Sequence, residues 1–475
     1  MITKTKIIAT VGPASSDVDM LSELINHGVD VFRLNFSHGG RDDHERLFGV
    51  IDKARRRFNR SIAIMGDLCG PKIRTGKIVN TGEIVEKGEK VIINNDVQKG
   101  NVRLFGTNYE CFSDDVDVGE KILINDGLVE LEVREVVDGD VICKVIVGGE
   151  ISSHKGINLP ESQISSPAIT DYDWNCAGWA IEKDFDYLAL SFVRKAAEIV
   201  ALKEFLSEKG SAIKVVSKIE KPEAVENLEG IITVSDSVLV ARGDLGVEMD
   251  MAKVPLIQKR ITHICRELGR PVVVATQMLE SMIIHARATR AETSDVANAI
   301  MDLTDAVMLS GETAIGSFPV KSVEGMERIA RVTEEFLDDS GYGRVKIKTS
   351  EDLVTAEALA RNIASLVDDL DVKLVVVWSQ SGKTARLLSK SRIEAPVIAF
   401  SENELTSRQM NMHYGVIPVR WSMPEDLKSF LDLIDELVIS NRWCEVGERV
   451  IVLPSKELET EGSSHSIHFH RISGS

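Results

Sequence analysis

Reactive side chains fall where short apolar runs end: Arg33, Asp67 and Arg74 early in the chain, then Lys218 with Glu220, Arg242 with Asp244, and Thr276. The run from Lys214 to Glu220 alternates, so Lys218 and Glu220 leave one face of a strand together, a cation beside a carboxylate. The next run, Ser237 to Arg242, stops at Gly243 and Asp244. If the two runs are neighbouring strands, Glu220 and Asp244 converge as hard oxygen ligands suited to Mg²⁺ or Mn²⁺, with Lys218 close by. Such a centre suits a substrate rich in phosphate oxygens.

These residues need elements that carry them to one place. Eight apolar runs have strand character: Lys6 to Val11, Val31 to Phe36, Ile62 to Asp67, Tyr187 to Phe192, Lys214 to Ile219, Ser237 to Arg242, Val272 to Thr276 and Ala306 to Ser310. Most are separated by amphipathic helical stretches, which predicts an α/β fold, a (β/α)₈ TIM barrel with its chemistry at the C-terminal ends of the strands. From about Lys72 to Pro167 the pattern becomes short β-rich pieces punctuated by glycine, read as an inserted lid domain able to close over the site and exclude water. After about Gly341 helices and strands alternate again, predicting a C-terminal α/β domain of doubly wound type. The expected divisions are 1–71 with 168–342 for the barrel, 72–167 for the lid and 343–475 for the last domain. In that domain Ser379, Gln380, Ser381, Gly382, Lys383 and Thr384 form a loop between a strand and a helix, a cradle of N–H groups for phosphate. A Walker A loop would need glycine where Val377 stands, which weakens a nucleotidase reading.

With 475 residues, 43% of them hydrophobic, the chain can bury a large core. Its net charge of −18 argues against nucleic acid or an anionic membrane as partner, so an anionic substrate would need a locally basic pocket. The six cysteines show no C-x-x-C pair and no spacing with histidine that would ligate metal; they read as reduced thiols. No apolar run approaches the length of a membrane span, and the expected location is the cytoplasm.

The motifs resemble the pyruvate kinase family. The strings that carry the likeness are Lys4 to Ser15, Arg33 to Gly39, Gly70 to Gly76, Lys155 to Pro160, Ala189 to Arg194, Ala241 to Val247, Ala275 to Met282 and Met308 to Ala314, all in order. The resemblance implies phosphoryl transfer from phosphoenolpyruvate to ADP, giving pyruvate and ATP, in a homotetramer with a barrel, a β-rich lid and a regulatory C-terminal domain. It implies that Lys218 stabilises the transferring phosphoryl group and the enolate, and that Glu220 and Asp244 hold the divalent metal. Gly243 would let the substrate carboxylate approach, Thr276 would bind it or sit on the proton path, and Arg33 and Arg74 would clamp phosphate oxygens. Asn35, Phe36, Ser37, His38, Arg74 and Lys155 are implied as nucleotide contacts. Taken alone, Thr276 would serve as a helix N-cap, Lys218 and Glu220 as a strand-end ion pair, and each arginine as a surface charge.

The family divides between glutamate and lysine at the position of Lys72, glutamate accompanying a need for K⁺. In that group Asn35, Ser37, Asp67 and the backbone at Leu68 hold the ion. A lysine ammonium can stand in as a point cation near the same carboxylates, so K⁺ is expected not to be required. Two departures stand out: Cys69 replaces the usual lysine or glutamine, and Ala288 a common proline. Cys69 would sense oxidants only if exposed and acidic. The loop Ser379 to Thr384 matches the family's effector segment, implying activation by a phosphorylated effector. The counterpart second loop, Glu461 to Ser466, is a weak match. Two other readings are open to the same residues: a metal-dependent aldolase or lyase on a pyruvate-binding barrel, and a catalytically silent metabolite sensor.

Overall fold

The computed structural model describes residues 3–58, 60–79, 83–340, 354–454 and 466–474. Eight parallel strands close into a barrel: Lys6–Thr10, Val29–Asn35, Ala63–Asp67, Tyr187–Leu190, Lys214–Ile219, Ser237–Ala241, Val272–Ala275 and Ala306–Leu309. The first strand pairs with the last, Lys6 opposite Ala306, which completes the ring. Each strand is short and apolar because both of its faces are covered. One set of alternate side chains, including Ile8, Val31, Met65, Val216, Leu239 and Met308, fills the barrel interior. The other set, including Ile7, Phe32, Ile64, Val215, Val240 and Val274, packs outward against the ring of helices. Strand residues opposite in phase therefore build two separate cores, as a pleat of period two requires.

Between the third and fourth barrel strands the chain makes the predicted β-rich unit. Its six-stranded sheet runs Ile157–Asn158, Lys121–Ile124, Val129–Val137, Asp140–Val147, Lys90–Ile93 and Leu104–Phe105 in spatial order. The two longest strands join through Asp138 and Gly139, whose φ values of 50° and 82° are both left-handed. That pair suits a type I′ turn, whose twist matches a hairpin. Val91, Phe105, Ile122, Leu131 and Val145 give this unit a core of its own.

The C-terminal sheet has five strands in the order Val416–Arg420, Val397–Ser401, Leu374–Trp378, Arg449–Leu453 and His468–Arg471. The first four are parallel, as the alternation predicts, while the last runs antiparallel beside Arg449–Leu453 and makes the sheet mixed. This domain docks under the N-terminal ends of the barrel strands. Met412 is fully buried and joins the side chains inside the barrel, closing it from below. Around it Arg408 meets Asp186 at 2.6 Å, and Lys390 and Arg392 meet Asp305 at 2.5 and 3.3 Å. Buried charges are tolerated here because each faces a partner and the carboxylates also accept backbone N–H bonds, from Ile64 to Asp186 and from Val272 to Asp305. No helix among the described residues is long and apolar enough to cross a membrane.

Candidate active site

Lys218 and Glu220 stand at the upper end of the fifth barrel strand, next to the sixth, with Lys218 opposite Leu239 in register. The Lys218 ammonium lies 2.8 Å from Glu220 and 3.3 Å from Asp67, and donates to the Ser191 hydroxyl at 2.8 Å. Burial alone would drive its proton off, but Asp67 and Glu220 outweigh that and hold it above the ordinary lysine value. Glu220 is 1% exposed. Burial pushes its carboxyl up, Lys218 opposes this, and the charge of Asp244 adds to the upward push. Its other oxygen accepts the Phe192 N–H at 2.7 Å.

Asp67 ends the third strand and is the hub of the opposite wall. Arg33, on the second strand, gives it Nε at 2.7 Å and Nη2 at 2.6 Å, while Nη1 donates to the Thr10 hydroxyl at 3.0 Å. Burial would raise the Asp67 carboxyl, yet Lys218 and Arg33 overcome it and hold it below the usual carboxylate range. Ser191 links the walls: its hydroxyl donates to the Leu68 carbonyl at 2.7 Å while accepting from Lys218.

The third wall follows the sixth and seventh strands. Gly243 and Asp244 open the short helix Arg242–Glu248, with Asp244 half-buried. The Gly243 N–H donates to the Thr276 hydroxyl at 2.7 Å, and that hydroxyl donates to the Ala275 carbonyl at 2.6 Å. A Cβ on residue 243 would come within 3.3 Å of the Thr276 oxygen, so glycine keeps this approach close. Thr276 has φ of 67°. That conformation is an outlier for a β-branched residue, the kind of strain held only where the surroundings impose it. Thr276 caps no helix; the short helical turn after it begins at Glu280 behind Leu279. Arg242 points away, to Asp295 at 2.7 Å and to the Thr276 carbonyl at 3.0 Å, and so braces the loop.

Asn35 ends the second strand and Ser37 and His38 lie on the turn after it, where the Asn35 side chain accepts the Ser37 N–H at 3.1 Å. His38 is exposed; partial burial and the charges of Arg74, Lys72 and Arg33 hold its ring below the ordinary histidine value. Phe36 is different. Its ring is buried against His44, Trp179 and Phe185, its N–H donates to the Asp67 carbonyl at 3.0 Å, and its carbonyl accepts from Tyr172. It shapes the turn from beneath. Arg74 and Lys155 sit side by side on the inserted β-rich unit, where Arg74 pairs with Gly156 and donates to the His154 carbonyl at 3.0 Å. Lys155 is exposed. Lys72 makes no ion pair within 4 Å among the described residues, and its charge is felt at His38. Leu68 is buried, its N–H donating to the Ala189 carbonyl at 2.9 Å. Cys69 is half-buried and burial raises its thiol, which removes the acidic character that an oxidant sensor needs.

Sequence reasoning missed Ser191 and the seat of the inserted unit. In that seat Lys221 meets Glu248 at 2.8 Å, and Asn158 of the inserted unit donates to the same Glu248 oxygen at 2.7 Å. The only signal for Ser191 was its place one residue beyond a strand end. Far below, the loop Ser379 to Thr384 turns at Gly382, with φ of 74°, into the helix Lys383–Lys390. Of the second effector segment, Glu461 to His465 lie outside the described residues.

Residues 2–323 match the family model for the barrel domain of pyruvate kinase, and residues 357–470 match that for its alpha/beta domain. Pyruvate kinase of Geobacillus stearothermophilus is 39% identical over 473 residues, covering 99% of this chain and 80% of that one. Pyruvate kinase of Staphylococcus aureus strain MRSA252 is 38% identical over 471 residues with the same coverage. A crystal structure of a pyruvate kinase from Cryptosporidium parvum superposes with a TM-score of 0.89 at 33% identity, covering 99% of this chain and 96% of that one.

Proposed function

The chain belongs to the pyruvate kinase family and is a pyruvate kinase, and from that premise we propose how its own residues divide the work. It transfers the phosphoryl group of phosphoenolpyruvate to ADP and releases pyruvate. The observation that carries the assignment of roles is the joined set Arg33, Asp67, Ser191, Lys218 and Glu220, in which two cations are fixed by buried carboxylates.

Both reactants are strongly anionic, so the main task is to place positive charge where it develops in the transition state. Lys218 faces the transferring phosphoryl group and the enolate oxygen left when the phosphorus–oxygen bond breaks. Arg33, held by Asp67, offers its remaining N–H donors to phosphate, and Arg74 reaches in from the lid. Thr276 orients the substrate carboxylate or passes a proton toward the methylene carbon, and the glycine at 243 leaves room for that carboxylate. Asn35, Ser37, His38 and Lys155 face the nucleotide, with Phe36 supporting their turn. Asp67 is a positioning residue.

The family uses a divalent cation. Glu220 and Asp244 fit one: the charge of Asp244 already disfavours ionisation of Glu220, so a cation between them relieves a repulsion present in the bare protein. Among the described residues no third histidine, cysteine or carboxylate joins them. Substrate oxygens and water would complete the shell, a pattern that suits Mg²⁺ or Mn²⁺. When bound, the metal neutralises phosphate and carboxylate oxygens as a Lewis acid.

Lys72 supplies the monovalent charge, so K⁺ is not required. Its effect on His38 supports a position beside the nucleotide turn. The test is pyruvate formation with Mg²⁺ while K⁺ is titrated into a K⁺-free assay. Near-constant activity is expected, and Lys72→Glu should make the enzyme depend on K⁺. A rise of about a hundredfold in the unaltered enzyme, about 2.7 kcal/mol of barrier, would reject the substitution of lysine for the ion.

The divisions 1–71 with 168–342, 72–167 and 343–475 act as catalytic barrel, closing lid and regulatory domain. The loop Ser379 to Thr384 receives a phosphorylated activator, and the working enzyme is a cytoplasmic homotetramer.

A further inference from the structure

The inserted unit is pinned to the barrel at both of its roots. On the way out, the Cys69 and Gly70 N–H groups donate to Asp173 Oδ1 at 2.8 and 3.3 Å. On the way back, Arg194 donates to the Ile164 carbonyl at 2.6 Å and to the Ser166 carbonyl at 2.9 Å. Above these roots the two connecting segments bond to each other. Thr75 donates its N–H to the Lys155 carbonyl at 2.8 Å, and Ile157 donates its own to the Ile73 carbonyl at 2.9 Å. Arg74 and Lys155 therefore ride on one ladder, and Asn158 ends the strand that continues it.

Asn158 ties that ladder to the barrel. Its side-chain amide donates to Glu248 Oε1 at 2.7 Å, and the Lys221 ammonium meets the same oxygen at 2.8 Å. Glu248 is 3% exposed, and its Oε2 is buried with no hydrogen-bond partner among the described residues. A buried carboxylate that served stability alone would use both oxygens, because a bare buried acceptor costs its desolvation. The place of Glu248 in the chain offers another reason. Lys221 directly follows Glu220, and Glu248 ends the helix whose first turn carries Asp244. One carboxylate thus joins the ladder bearing Arg74 and Lys155, the residue next to Glu220, and the helix of Asp244.

We propose that Glu248 is a positioning residue for phosphoryl transfer, fixing through Asn158 how Arg74 and Lys155 stand over Glu220 and Asp244. The inference rests on the reading above that the inserted unit closes over the site, and it names the contact that sets the closed position. Glu248, Asn158, Lys221 and Lys72 line a cavity of about 30 Å³. That is room for about one water, so Asn158 can pass from one Glu248 oxygen to the other as the unit tilts. In-line transfer needs its cations closely aligned with the reacting groups, and a displacement of about 1 Å costs on the order of a hundredfold in rate. Glu248 acts through the groups it holds and not on the reactants.

The test measures kcat of the full-length enzyme at saturating phosphoenolpyruvate, ADP and Mg²⁺, with urea unfolding alongside. Asn158→Asp sets two carboxylates against each other and should lower kcat by about tenfold or more. Asn158→Ala adds no buried charge, should give a similar loss, and keeps the test open if the aspartate variant does not fold. Combining Asn158→Asp with Glu248→Gln reverses donor and acceptor while keeping the summed charge with Lys221, and should bring kcat back to within about threefold of the unaltered enzyme. Unchanged kcat with only a lowered unfolding midpoint would make the contact structural and overturn the proposal, as would a loss that the double variant does not recover. Arg74→Ala separates the two readings. If it lowers kcat while the Asn158 variants do not, the inserted unit still acts on the site and only the role of Glu248 falls. If Arg74→Ala is fully active as well, the closing reading falls with it.

Discussion

Lys218 shows how little freedom a buried cation has. Two carboxylates and a hydroxyl hold its ammonium, so it stays charged throughout the physiological range and cannot act as the neutral amine that a Schiff-base lyase needs. Lys218→Met should therefore lower kcat by roughly 10²–10³ while the fold persists, since one preorganised charge at the reacting group is worth about that much. Steady-state kinetics beside a circular dichroism spectrum checks this, and a loss below about tenfold would remove Lys218 from the chemistry. His38 reports on the same field from outside. Its folded value lies below 6.5, so the folded protein favours the neutral ring. The group then costs stability as pH falls from 6.5 through the folded value, and contributes nothing above that window. A ring-proton NMR titration should give a midpoint under 6.5, moving upward in Lys72→Glu. A midpoint unmoved by that change would separate Lys72 from the turn that carries His38.

At the scale of elements, the helix Arg242–Glu248 has work at both ends. Its first turn carries Gly243 and Asp244, and its last residue receives Lys221 and Asn158 of the inserted unit. Asp244 and the seat of the inserted unit thus share one rigid piece. Glu248→Ala would leave the Lys221 ammonium buried without its partner, an expected loss of about 3–5 kcal/mol in thermal or urea unfolding. Lys221→Met combined with Glu248→Leu should recover most of it; no recovery would mean that the pair does not act as a unit. None of this was legible in the sequence, because Asn158, Lys221 and Glu248 meet only once the inserted unit has docked. The barrel strands were legible within a residue or two, since continuous apolar runs such as Val272–Ala275 are dictated locally by burial on both faces. Lys218, Glu220 and Asp244 were legible too, because their convergence follows from strand phase and strand adjacency. Ser191, Phe192 with its φ of 54°, and the antiparallel direction of the edge strand His468–Arg471 were not, as each depends on contacts or turns that no local pattern encodes.

Across the whole molecule, the C-terminal domain and the barrel are joined by charges that are largely buried. Asp305 is 0% exposed and serves Lys390, Arg392 and the Val272 N–H together. Asp305→Ala should destabilise the enzyme by about 3–5 kcal/mol and split calorimetric unfolding into separate barrel and C-terminal transitions. A single transition at the original temperature would show that Met412 and its apolar neighbours suffice. The closing pair of the barrel has a consequence for how the protein is made. Lys6 hydrogen-bonds across to the strand at Ala306, so the ring cannot shut until that strand has left the ribosome. At roughly 5–20 residues per second the first three strands wait on the order of tens of seconds with open edges. The inserted β-rich unit, built from one continuous stretch with its own core, can complete itself during the delay. A nascent chain of this enzyme therefore passes through a stage in which the inserted unit is finished before the barrel exists, and its unpaired strands are the ones a chaperone would need to guard.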